Sequence, residues 1–157
     1  VIPTWFNHNF VNVENLMIDM FGKVFAADVE CGSWTPDSWL DDSDPDPVLW
    51  FFRVPGGTVD YERNYDEAFI QVNAVTGSRD DSWSLISVVR AVLLPMQGFK
   101  FTMADGFTAQ IHSVEEVAGP QLLTPEQQLD TRIVSALFRV RVGLRSRDRY
   151  LDTVRAL

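Results

Sequence analysis

The spacing of hydrophobic positions changes several times along the chain, and each change marks an element. In NVENLMIDMFGKV (12–24), Val13, Leu16, Met17, Met20, Phe21 and Val24 recur at intervals of three and four, and Asn12 stands where its side chain can cap the first turn. This predicts an amphipathic helix that Gly22 ends or loosens, followed by a short strand in KVFAADVE (23–30). Strand character takes over in VLWFFRV (48–54) and EAFIQVNAV (67–75), the second placing Ala68, Ile70, Val72 and Ala74 on one side. Another helix is predicted in SRDDSWSLISVVRAVLL (78–94). Ser78 and Asp81 have capping-box spacing with Asp in place of Glu, Leu85, Val88, Val89, Val92 and Leu93 form an apolar stripe, and Pro95 and Gly98 stop it. TAQIHSVEEVAGPQLL (108–123) starts as a strand and is expected to break at Gly119-Pro120. The clearest alternation lies in TRIVSALFRVRVGL (131–144), with Val134, Ala136, Phe138, Val140 and Val142 on one face and Ser135, Leu137, Arg139 and Arg141 on the other. The order is helix, short strand, loop, two strands, helix, strand or hairpin, strand. It predicts an α+β domain over 1–143, a mainly antiparallel sheet with two helices packed on one face, and a basic C-terminal tail over 144–157.

Two stretches fit no period. CGSWTPDSWLDDSDPDP (31–47) holds three prolines, five aspartates and two tryptophans, and reads as an acidic surface loop whose Trp34 and Trp39 either pack back on the domain or anchor a partner. Asp42, Asp44 and Asp46 alternate as the first ligands of a calcium loop do, but Pro47 replaces its glycine and Arg53 its closing glutamate, so no metal is expected. PGGTVDYERN (55–64) lies between two strands. A phosphate cradle needs its glycines to lead into a helix N-terminus; here they lead into a strand, so Gly56 and Gly57 are expected to bend or reverse the chain and project Tyr61 and Arg63 outward.

At 157 residues, with 46% hydrophobic and 22% charged side chains, the chain suffices for one core without staples. No apolar run approaches the roughly 20 residues of a spanning helix, and the reading is a soluble protein made in a cytoplasm. The single cysteine, Cys31, is expected to be a small, semi-buried residue and not a nucleophile, since neither His8 nor His112 lies in a catalytic signature. Glu115 and Glu116 point to opposite faces of a strand and cannot share a proton. An enzyme is therefore not expected, and no cofactor is implied.

Charge points to partners. The net charge of −9 disfavours general nucleic-acid binding, yet it is unevenly spread. Residues 1–78 carry three basic against thirteen acidic side chains, and residues 132–157 carry seven arginines against Asp148 and Asp152. Arg139, Arg141, Arg145, Arg147 and Arg149 recur almost every second residue, which on a continuing strand would form one cationic stripe. A solvated face with paired carboxylates is one reading of that stripe. DNA binding is a second, although the stretch lacks interleaved aromatics or a reading helix, and the leading one is a protein interface in which opposite ends of copies or of neighbouring rings meet.

The capped first helix, the block WFFRVPGGTVDYERNYDEAFIQVNAVTGSRDDSWSLISVVRAVLL (50–94) and the ending HSVEEVAGPQLL with TRIVSALFRVRV together resemble the tail terminator proteins of long-tailed bacteriophages, especially those infecting actinobacteria. The resemblance covers roughly residues 10–143; the acidic loop and the arginine tail lie outside its core. It implies a structural virion subunit that closes into a ring, usually of six copies, at the head-proximal end of the tail tube. Such a ring stops tube growth, meets the tube protein on one face and a head-completion protein on the other, and lets DNA pass without specific contact. Another neck or minor tail component of similar shape is the near alternative. A small-ligand domain with Trp34, Trp39 and Trp50 around a pocket is the distant one.

Overall fold

The computed structural model describes residues 2–34, 43, 46–121 and 132–157. The elements run α1 (Val13–Phe25), β1 (Glu30–Gly32), β2 (Val48–Val54), β3 (Val59–Asp60), β4 (Tyr65–Val75), α2 (Arg79–Leu93), β5 (Phe99–Thr102), β6 (Thr108–Gln121), β7 (Ile133–Gly143) and α3 (Leu151–Arg155). The sheet has the order β1-β2-β4-β7-β6-β5, with β3 also pairing β4. Among the described residues the pairings are antiparallel except β1 with β2, which makes the sheet mixed. The α+β class holds.

Both long helices form for the reasons their spacing gives. Asn12 caps α1 by accepting from Asn15 N–H at 3.1 Å, and Ser78 caps α2 by accepting from Asp81 N–H at 3.1 Å while donating to Asp81 Oδ2 at 2.7 Å. Their apolar stripes meet one face of the sheet. Leu16, Met17 and Phe21 from α1 and Ile86, Val89 and Leu93 from α2 enclose Leu49, Phe51, Ile70, Val72, Phe138, Val140 and Ile111 in a single core. Each large side chain buried there contributes about 1.5–3 kcal/mol. The register Val72↔Ala136 and Ile70↔Phe138 aligns the predicted alternations of β4 and β7, so their even-numbered residues all face this core.

Four local expectations are corrected. Helix α1 runs through Gly22, whose missing Cβ faces open space, and continues to Phe25, which stacks on Phe21; it ends at Ala26, where φ is 50°. The strand expected over 23–30 is therefore helix at its start, and only Glu30–Gly32 pairs in the sheet. Strand β6 does not break at Gly119-Pro120 but passes through them to Gln121, absorbing them as register shifts between Glu116 and Gln121. The α2 stripe is rotated slightly: Ile86 and Ser82 are buried where Val88 is exposed.

Candidate functional site

Gly56 and Gly57 solve a pairing problem. Strands β2 and β3 use the same edge of β4, β2 against Phe69–Val75 and β3 against Tyr65–Asp66, and the chain must step sideways between them. A Cβ on Gly56 would stand 2.7 Å from the Phe69 ring, and one on Gly57 2.1 Å from the Glu67 carbonyl oxygen. Both have positive φ (122° and 76°), which glycine adopts freely. They bend the chain; the reversal comes later, at Tyr61–Asn64, where Asn64 is left-handed at φ 61° and Asp60 accepts from Arg63 N–H at 2.9 Å. Tyr61 and Arg63 are exposed on that turn as expected.

The five arginines do not form one stripe, because β7 stops at Gly143. Only Arg139 and Arg141 share a face, the one turned away from the helices. There each meets a carboxylate of a flanking strand: Arg139 binds Glu115 of β6, and Arg141 Nε donates to Glu67 Oε2 of β4 at 2.8 Å, with its guanidinium 5.3 Å from the Tyr65 ring centre. The Glu67 bond holds the Arg141 pKa above its ordinary value. Arg139 Nε is buried and has no hydrogen-bond partner among the described residues. Around them Trp50, Phe52, Phe69 and Leu137 are half-buried, and Asn73 and Ser135, joined by a 2.6 Å hydrogen bond, are buried. Glu116 points the opposite way from Glu115 and pairs with Arg90 of α2 (2.6 Å), as the strand geometry requires.

Past Gly143 the chain leaves the sheet and packs on the N-terminal segment. Arg145 N–H donates to Asn9 O (2.9 Å), Asn9 Nδ2 to Asp148 O (3.0 Å) and Tyr150 Oη to Asn7 O (2.7 Å). Trp5, Phe6 and Tyr150 form an aromatic cluster with centroids 5.3–6.4 Å apart. Arg145 turns to Asp105 in the β5–β6 hairpin, with its guanidinium 4.7 Å from the Phe107 ring centre; Arg147 reaches Asn64 Oδ1 (2.8 Å) and the Tyr61 carbonyl. The Arg145 hydrogen bond, with help from Phe107 N–H, holds Asp105 below the ordinary carboxylate range. Arg149 is exposed.

Here the tail and the turn frame a groove of about 580 Å³, lined by Phe6, Asn9, Phe10, Tyr61, Arg147, Asp148, Arg149, Tyr150 and Leu151. It brings together Tyr61, Arg147 and Arg149 from the sequence-based candidates. It adds Phe6, Phe10 and Tyr150, which no pattern in the sequence singles out because no period connects the two ends of the chain. Trp34 stacks on Trp50 (6.1 Å, 12°) yet stays 77% exposed, while Trp39 lies outside the described residues, as do Asp42 and Asp44. Burial and the charge of Glu30 push the Cys31 thiol up to about 11, which keeps it protonated and unreactive near neutrality. Among the described residues, no group of three or more His, Cys, Asp or Glu side chains could hold a metal ion, and no helix is long and apolar enough to cross a membrane.

An α+β subunit with a half-buried sheet face, paired surface arginines and an aromatic groove made by its two ends has the makings of an assembly component. The chain belongs to the phage tail termination protein family, whose model it matches over residues 9–147. That span takes in both long helices, the whole sheet and the first tail arginines. No curated protein matches it. The family places the protein among bacteriophage tail structural proteins.

Proposed function

We propose that this protein is the tail terminator itself, a subunit that closes into a ring, six copies being the expected number, on the head-proximal end of the tail tube. The ring stops tube polymerisation and presents its other face to a head-completion protein, at the head–tail junction of the virion and, before that, in the host cytoplasm. The family match over residues 9–147 carries this reading. The geometry supports it. The face with Arg139 and Arg141 is only half-covered, leaving Trp50, Phe52, Phe69 and Leu137 partly exposed where another subunit can pack. The two ends of the sheet also differ in charge and shape, as a head-to-tail ring requires.

The test is the mass of the purified protein alone and after mixing with tube-forming tail subunits, with tube length read by negative-stain microscopy. Capped tubes of arrested length are expected. Tubes that grow as long with the protein as without it would overturn the proposal.

A further inference from the structure

We propose that the groove between the tail and the β3–β4 turn is the receptor for the acidic loop 35–45 of a second copy of this chain. The inference deepens the ring reading above and rests on its premise that copies meet head to tail.

The groove pairs an apolar surface with a rim on which Arg147 and Arg149 outnumber the one carboxylate, Asp148. Phe6, Phe10 and Tyr150 supply aromatic walls, Leu151 and Tyr61 stand 69% and 57% exposed at its rim, and Arg149 adds an exposed cation. Exposed aromatic and aliphatic surface beside an arginine is the composition of an interface centre. Loop 35–45 has the complementary chemistry: Trp39 and Leu40 lie between Asp37 and the pair Asp41-Asp42, Asp44 follows, and no Lys or Arg occurs anywhere from 31 to 47. The described residues at its root continue the same sign, with Asp28, Glu30 and Asp46 all exposed around one groove.

The loop cannot serve its own groove. Its ends are held at the far end of the sheet: Trp34 stacks on Trp50, which is level with Asn73, and the Pro47 carbonyl accepts from Glu30 N–H (2.9 Å). The groove lies beyond the opposite end of β4, where Tyr65 faces Gly143. Thirteen residue steps from Trp34 to Pro47 extend at most about 47 Å. The out-and-back path along β4, eight residues from Asn73 to Tyr65 and ten on the return to Val75, needs roughly 60 Å before the groove itself is reached. Complementary surfaces on opposite ends of one chain, out of each other's reach, are satisfied only between copies. The contact is heterologous, and it leaves each subunit with one loop to give and one groove to fill.

That asymmetry gives a decisive experiment on the full-length chain. A groove variant (Arg149→Glu with Tyr61→Ala) and a loop variant (Trp39→Ala with Asp41→Asn, Asp42→Asn and Asp44→Asn) are followed by sedimentation velocity, separately and mixed. Tyr61 and Arg149 are exposed, and circular dichroism checks that both variants are folded. The wild type is expected to self-associate, each variant alone to need more than tenfold higher concentration to do so, and the equimolar mixture to stop at a heterodimer, since only one intact loop and one intact groove remain per pair. A wild type that stays monomeric, variants that assemble like the wild type, or a mixture that stays monomeric would each overturn the proposal. Tube capping by the same proteins separates the two readings. Variants that assemble and cap as the wild type does sink the loop-and-groove contact and leave termination standing. A heterodimer formed by chains whose wild type never caps a tube does the reverse.

Discussion

Gly57 has no room for a side chain: a Cβ there would overlap the Glu67 carbonyl, and its φ of 76° already disfavours any L-residue. Gly57→Ala is expected to cost at least about 2 kcal/mol, the left-handed penalty plus a clash with backbone that cannot yield. Gly106→Ala serves as the control, because Gly106 has a similar φ (87°) but nothing within 4 Å, and should cost only about 1 kcal/mol. Urea unfolding of the two variants reads the difference, and equal losses would show that the close approach to Glu67 is unimportant. Cys31 makes a second prediction at this scale. Its thiol titrates near an ordinary 9.0 in the unfolded chain and at about 11 in the folded one. Between those values the unfolded chain releases a proton that the folded chain keeps, so stability is intact below pH 9 and declines as pH rises toward 11. Cys31→Ser should flatten that decline, measured as the urea midpoint against pH. Because the folded chain holds so little thiolate near neutrality, alkylation there should be about a hundredfold slower than in the unfolded chain.

At the scale of elements, α2 shows how a helix start can be anchored by more than its cap. Ser82, fully buried in the first turns of α2, accepts from Thr76 N–H at 3.0 Å and shares a hydrogen bond with the Thr76 hydroxyl, joining the end of β4 to the helix. Ser82→Ala strands that buried amide and is expected to cost about 1–3 kcal/mol, whereas exposed Ser84→Ala should be nearly neutral, both read by thermal or urea unfolding. The segment that follows β7 and the hairpin β5–β6 are joined through Arg145 and Asp105. Because the Arg145 hydrogen bond lowers the Asp105 pKa, its contribution is present above the ordinary carboxylate range and lost as pH falls through the lowered value. Arg145→Met should return the Asp105 titration, followed by carboxyl NMR, toward its ordinary value; an unmoved titration would mean the pair does not persist in solution.

For the whole molecule, the open sheet face is where charge reversal would mislead. Arg139→Glu with Arg141→Glu would place new carboxylates beside Glu115 and Glu67, and lost assembly would be confounded with a damaged sheet. Arg139→Gln with Arg141→Gln removes both positive charges without bringing in negative ones. Since partly exposed pairs of this kind contribute little, about 0–1 kcal/mol each, the double variant should stay folded. If this face meets the tube or the neck, the same variant should leave tubes uncapped or heads unjoined; normal capping and joining would move that contact elsewhere.

The elements and their faces were legible in the linear chain. The alternation of Val134 to Val142 and the stripes of α1 and α2 are local patterns, and burial of one face is enough to dictate them. The charge asymmetry between the two ends was equally plain there, and with it the case for an assembly role. Contacts between distant residues settled the rest. They run β1 parallel to β2, carry Gly119 and Pro120 of β6 within the sheet, and end β7 at Gly143 so that the arginines part company. They also bring Phe6 and Phe10 beside Tyr150 and Arg149, 139 or more residues away, to make a groove. A period of two or 3.6 residues records which face of an element is buried, but not which neighbour buries it. Pairing and packing across the chain are chosen by the whole core at once, and only the folded molecule displays that choice.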